Sequence, residues 1–142
     1  MSTILFYTPF DRRSRDTETL MIAFRQQGHR VMFLSQETGF QIGPFLESRG
    51  IEVFTHVLSD RRPGWWYYLR HIFFFVKFCR KHKIDIVYSH LEPANLVASV
   101  GQYFIRAQTY LCRHHINEAA LSGFAKSLYY RMTYFLARKI IV

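Results

Sequence analysis

Short apolar runs alternate with longer amphipathic stretches along the chain, and glycine or proline stands at many of the joints. Ile4–Thr8 reads as a first strand and Pro9–Asp16 as a loop. Thr17–Gln27 follows as a helix with Leu20, Ala23, Phe24 and Gln27 on one face. Asp16 or Thr17 can cap its start, and Gly28 supplies a left-handed stop. Val31–Ser35 is a second, buried strand. Phe40–Arg49 carries Ile42, Phe45 and Leu46 at helical spacing and stops at Gly50, and Ile51–Thr55 is a third strand. Pro63–His82 predicts a long helix with Pro63 near its first turn. Ile84–Ser89, whose apolar run Ile84–Tyr88 is broken only by Asp85, has the character of a parallel strand covered on both faces, and Pro93–Arg106 is its helix. Thr109–Cys112 is a fifth strand, Phe124–Ala137 a helix burying Phe124, Leu128, Met132, Phe135 and Leu136, and Ile140–Val142 the start of a sixth strand.

Strands that alternate with helices require crossover connections. The expected fold is therefore α/β: a Rossmann-like, doubly wound parallel sheet of about six strands with helices on both faces. A chain of 142 residues has room for one such domain, residues 1–142, and no internal repeat or linker divides it. It stops inside an apolar run, which leads us to expect the first part of something longer.

Composition narrows the setting. The net charge of +9 favours anionic partners, whether phosphate-bearing small molecules, an anionic membrane surface or nucleic acid. Cys79 and Cys112 show no CxxC spacing and read as reduced core residues of a cytoplasmic protein. The N-terminus lacks the basic region of a signal peptide. The densest apolar stretch, Leu69–Cys79, is far shorter than the roughly 20 residues of a spanning helix.

The candidate chemistry gathers where strands end. His90, Glu92 and Asn95 follow the fourth strand directly, and open α/β sheets bind ligands at the carboxyl ends of their strands. Arg113, His114, His115, Asn117 and Glu118 follow the fifth. His114 and His115 are adjacent, so in extended backbone only one can face a given site. A histidine so placed can act as a base near neutral pH. No HxxxH or HxH spacing supports a metal. The first loop has no glycine, which argues against a GxGxxG dinucleotide site for NAD or FAD, and there is no Walker loop, so no cofactor is expected. That loop instead offers Arg12, Arg13 and Arg15 before a helix start, suited to phosphate or carboxylate, or simply a solvated basic loop.

The long third helix carries a different signal. Leu69, Ile72, Phe73, Val76 and Cys79 form the expected core face. Phe74, Phe75, Phe78 and Tyr67 are left on a flank beside Arg70, Lys77 and Lys81, with Trp65, Trp66, Tyr67 and Tyr68 at one end. Aromatics edged with cations suit the surface of an anionic membrane, such as the inner face of the cytoplasmic membrane. The alternative is a flank covered by another domain.

With these segments placed, the chain resembles the N-terminal domain of a GT-B glycosyltransferase of family 4. The resemblance rests on the opening strand Ile4–Pro9 and on Phe24–Val31, similar to "L-x-x-x-G-H-x-V". Leu46–Val53 is similar to "L-x-x-x-G-I-x-V", Asp85–His90 to "D-I-V-H-x-H", and Ala137–Val142 to "A-D-x-I-I-x-x-S". It implies an acceptor-binding domain whose C-terminal donor-binding partner is absent, so that this chain alone is expected to be inactive. The complete enzyme would move a sugar from a nucleotide-sugar donor to a saccharide or lipid-linked acceptor of the cell envelope, with no metal-dependent DxD motif. The resemblance makes His115 or His114 the cleft histidine near the transferred sugar, and sets His90 in the acceptor-side crevice. The family's glycine-rich first loop is replaced here by the arginine-rich Asp11–Asp16. A second reading is a non-catalytic α/β interaction module using the basic, aromatic surface. Nucleic-acid binding is not expected, because the aromatics lie on helices and no recognition motif is present.

Overall fold

The computed structural model describes residues 1–37, 42–58, 65–112 and 131–141. Its centre is a six-stranded sheet: β1 (Thr3–Thr8), β2 (Arg30–Ser35), β3 (Glu52–Thr55), β4 (Ile86–His90), β5 (Gln108–Cys112) and β6 (Ile140–Ile141). The strands lie in the order β3-β2-β1-β4-β5-β6, and every pair is parallel. The fold is the Rossmann-like, doubly wound sheet that the alternating pattern predicts.

The helices are α1 (Arg15–Gln26), α2 (Gly43–Glu47), α3 (Trp65–Lys81) and α4 (Ala94–Gly101), the last continuing as a 3₁₀ turn over Gln102–Phe104. Residues 131–136 are also helical and lead into β6. The order reverses between β1 and β4, so right-handed crossovers place α1 and α2 on one face and α3 and α4 on the other. Two cores follow. Ile4, Phe6, Val31 and Phe33 pack against Met21, Ile42 and Leu46, whereas Leu5, Tyr7, Met32 and Leu34 pack against Phe75, Phe78, Cys79, Val97 and Ala98. β1 contributes to both, because successive side chains of a strand point to opposite faces.

This topology explains a departure in β4. Its apolar run predicts cover on both faces. Val87 and Ser89 are buried, but Ile86 and Tyr88 are only partly so. Tyr88 leans on Phe6 (5.2 Å between ring centroids) and Phe24 (5.8 Å), and stacks outward on Tyr110 at 5.3 Å. Helices α1 and α2 serve β1–β3, so among the described residues aromatic rings roof this side of Tyr88.

Three helical segments turn differently from the expectation. In residues 131–136 it is Thr133 that is buried, while Met132 and Phe135, expected in the core, face solvent. In α1 the buried residues are Thr17, Glu18 and Met21, and Leu20 is exposed. In α3 the buried residues are His71, Phe75, Phe78 and Cys79, while Leu69 and Phe73 face solvent. Apolar residues cover nearly the whole circumference of α3, so periodicity alone could not orient it. Gly101 decides the matter where α4 crosses α3: a Cβ there would lie 2.6 Å from Phe75 Cδ1.

Three helices end in the same motif. The N–H groups of His29, Ile51 and Ile84 donate back to the carbonyls of Phe24, Leu46 and Cys79 at 3.1, 3.1 and 3.0 Å. Each motif needs a left-handed residue just before its donor. Gly28 (φ 85°) and Gly50 (φ 74°) supply it for α1 and α2, but Lys83 (φ 52°) supplies it for α3. A side chain in that conformation costs roughly 1 kcal/mol.

Candidate functional site

At the topological switch point, between the carboxyl ends of β1 and β4, lies a cleft of about 270 Å³. One wall is the β1–α1 loop with Thr8, Phe10, Arg12 and Arg13; the other is formed by His90 and Leu91. The loop is held from below. Asp11, largely buried, accepts the backbone N–H of Ile42 at 3.1 Å, and the Thr8 hydroxyl donates to the Phe10 carbonyl at 2.7 Å. Arg13 donates from Nε and Nη2 to the two oxygens of Glu18 at 3.2 and 3.0 Å, and lies 4.7 Å above the Phe45 ring. The hydrogen-bonded guanidinium keeps the Glu18 carboxyl below its ordinary range despite burial. Arg13 is thereby fixed in place. Arg12 and Arg15 are exposed and have no ion-pair partner among the described residues, and of the two it is Arg12 that lines the cleft.

His90 closes β4 with only 9% of its surface exposed, its ring stacked on Phe6 at 6.0 Å. The chain then turns sharply, with Leu91 at φ 65° and a cis bond between Glu92 and Pro93. Asn95 is buried and works as a bracket: its Nδ2 donates to the Cys112 carbonyl and to the Tyr134 hydroxyl, both at 3.1 Å. It ties α4 to the end of β5 and to the helical residues 131–136. Glu92 is partly buried, and neither it nor Asn95 is among the described lining of the cleft. Arg113, His114, His115, Asn117 and Glu118 lie outside the described residues. The structure thus brings His90 together with Arg12 and Arg13. The arrangement can bind a hydroxyl-rich molecule bearing negative charge: an imidazole for hydroxyls, a free guanidinium for the anion.

A second polar group at the carboxyl edge, on the α3 face, escaped the sequence reading. Gln36 Nε2 donates to the Tyr7 hydroxyl, and burial pushes that phenol's pKa upward. The His71 ring lies 5.4 Å from that of His56 and 4.4 Å from that of Tyr67, and burial pushes the His71 pKa down to about 4. The one available signal was polar residues at Gln36 and His56 just after two strands, the same signal that marked His90.

The outer face of α3 needs a correction. Phe78 is 6% exposed, and Phe74 is partly buried, stacked on His56 at 3.5 Å. The apolar residues facing solvent are Trp65 and Trp66, which the expectation included, and Leu69 and Phe73, which it placed in the core; Arg70, Lys77, Arg80 and Lys81 accompany them. No helix of the described residues is long and apolar enough to cross a membrane.

No protein-family model matches the sequence, and no curated protein does. Solved structures do match in fold. MurG from Acinetobacter baumannii superposes with a TM-score of 0.68 at 15% identity, covering 99% of this chain and 40% of its own. A putative UDP-N-acetylglucosamine 2-epimerase from Listeria monocytogenes gives 0.68 at 12% identity, covering 99% and 39%. A glycosyltransferase from Rickettsia africae ESF-5 gives 0.61 at 11% identity, covering 85% and 34%. The chain spans two fifths or less of each of these proteins.

Proposed function

We propose that this chain is the acceptor-side half of a GT-B glycosyltransferase, one that moves a sugar from a nucleotide-sugar donor to a saccharide or lipid-linked acceptor. The observation that carries this reading is the cleft at the switch point, where His90 faces Arg12 and Arg13. It lies in a fold shared with a glycosyltransferase and with a protein named for a UDP-sugar. His90 hydrogen-bonds a hydroxyl of the acceptor, and Arg12 holds an anionic group of the acceptor or the donor. The donor is gripped by a second domain, and the histidine nearest the transferred sugar is His115 or His114. Asn117 and Glu118 are the remaining candidates on that side.

Calorimetric titration with saccharide and lipid-linked acceptors tests the reading. His90→Ala and Arg12→Ala should each weaken acceptor binding about tenfold, the scale of one charge-assisted hydrogen bond. If both variants bind every acceptor as the wild type does, the cleft is not the acceptor site.

The corrected face of α3 supports the second part of the proposal, peripheral attachment to an anionic membrane surface. Trp65, Trp66, Leu69 and Phe73 would enter the interface, with Arg70, Lys77 and Lys81 beside them. Flotation with anionic vesicles should recover the chain, and Phe73→Asp should abolish recovery. Equal recovery with zwitterionic vesicles would contradict the electrostatic part.

A further inference from the structure

At the opposite, amino-terminal edge of the sheet lies a larger hollow of about 770 Å³. Its floor includes the buried Cys79 and Ile84, and its rim includes Tyr103 and Phe104, which are 51% and 55% exposed. Arg80, Lys83 and Arg106 line it, against a single carboxylate, Asp85. Asp85 Oδ2 is occupied by the backbone N–H of Thr3 at 2.8 Å. Arg80 is anchored by Nε and Nη2 to the Phe104 carbonyl at 3.1 and 2.8 Å, which leaves the other donors of its fork available. None of the three cations has an ion-pair partner among the described residues. The surplus of two positive charges exceeds the half negative charge that the carboxyl end of α3 presents.

Lys83 makes this more than a basic surface. It occupies the left-handed position that Gly28 and Gly50 fill at the ends of α1 and α2, with the same backbone bonds around it. The fold asks for glycine there. A lysine tolerated in a strained conformation, with its side chain lining a cationic hollow, is best explained by what that side chain binds.

We propose that this hollow is a binding site for an organic phosphate: the phosphate is held by Lys83, Arg106 and the free side of Arg80, and its apolar or ring-bearing arm lies against Tyr103 and Phe104. The ligand is either a soluble phosphate ester or the headgroup of an anionic phospholipid. The site is independent of the acceptor cleft, since the length of β4 separates them, about 16 Å at the usual rise per residue.

The test uses phenyl phosphate, inorganic phosphate and vesicles containing phosphatidylglycerol, with the wild type, Lys83→Gly and Arg106→Ala. Phenyl phosphate should bind the wild type about tenfold more tightly than inorganic phosphate. Lys83→Gly should raise the midpoint of thermal unfolding without ligand and still weaken phenyl phosphate binding at least tenfold; Arg106→Ala should weaken it with the midpoint unchanged. Vesicle binding lost in both variants identifies the source as a lipid headgroup, whereas vesicle binding that both variants keep through the α3 face while they lose phenyl phosphate identifies a soluble ester. Wild-type affinity retained by both variants, or no binding of any probe to the wild type, overturns the proposal.

Discussion

The two edges of the sheet carry two kinds of cationic concavity, and they are built in opposite ways. At the carboxyl edge the charges are prepared by packing: Arg13 is paired with Glu18 and laid over Phe45, and its loop is clamped through Asp11. At the amino edge the charge is prepared by backbone strain, with Lys83 accepted where glycine is the relaxed choice. The first device costs little stability and positions a group closely. The second spends stability to place a charge, so stability and binding should part company there and move together at the cleft.

The largest effect should come from the frame that both edges share. Phe75 is fully buried between α3, α4 and the sheet, so Phe75→Ala should cost about 3–5 kcal/mol in urea unfolding and weaken both concavities together. A loss at the amino edge alone would mean that the edges are separate cooperative units. Next comes pH. His71, only 1% exposed, is neutral in the folded chain, with its pKa near 4 against an unfolded value of 6.5. The unfolded chain therefore takes up a proton that the folded one refuses. Stability should be fully present above pH 6.5 and fall by about 2–3 kcal/mol as pH drops to 4. His71→Phe should flatten that slope.

Gly101→Ala should cost about 1–3 kcal/mol, because its Cβ meets the Phe75 ring at 2.6 Å and the helices must part. The smallest effect is the most diagnostic. Lys83→Gly should stabilise by roughly 1 kcal/mol by relieving the left-handed side chain, whereas Gly50→Ala, at φ 74°, should destabilise by a similar amount. If Lys83→Gly destabilises instead, the lysine is stabilising the helix end and the strain contrast between the two edges disappears.

Much of this was readable along the chain, and for identifiable reasons. The strands stood out because their apolar runs are short and bounded by Gly28, Gly50 and polar loops. Parallel pairing followed from the intervening helices. His90 and the arginines of the first loop were legible because strand ends are where such sheets bind. Three things were not. The rotation of α3 was hidden because aromatics surround the helix; the close approach at Gly101 selects Phe75 for the core, and Phe78 packs on Phe54 of β3. The bracket role of Asn95 depends on Cys112 and Tyr134, which only the folded sheet brings near. The amino-edge hollow had no sequence signal beyond scattered cations, since Lys83 is unusual only through its φ.

The cleft between the first loop and His90 is best tested by mapping where a saccharide acceptor binds, through ¹H–¹⁵N chemical shifts of the labelled chain during titration. The expected result is a set of shifts confined to Thr8–Ser14 and His90–Leu91, reduced at least tenfold at equal acceptor concentration in Arg12→Ala. Shifts that appear elsewhere and leave this cleft untouched would contradict the assignment of the acceptor site.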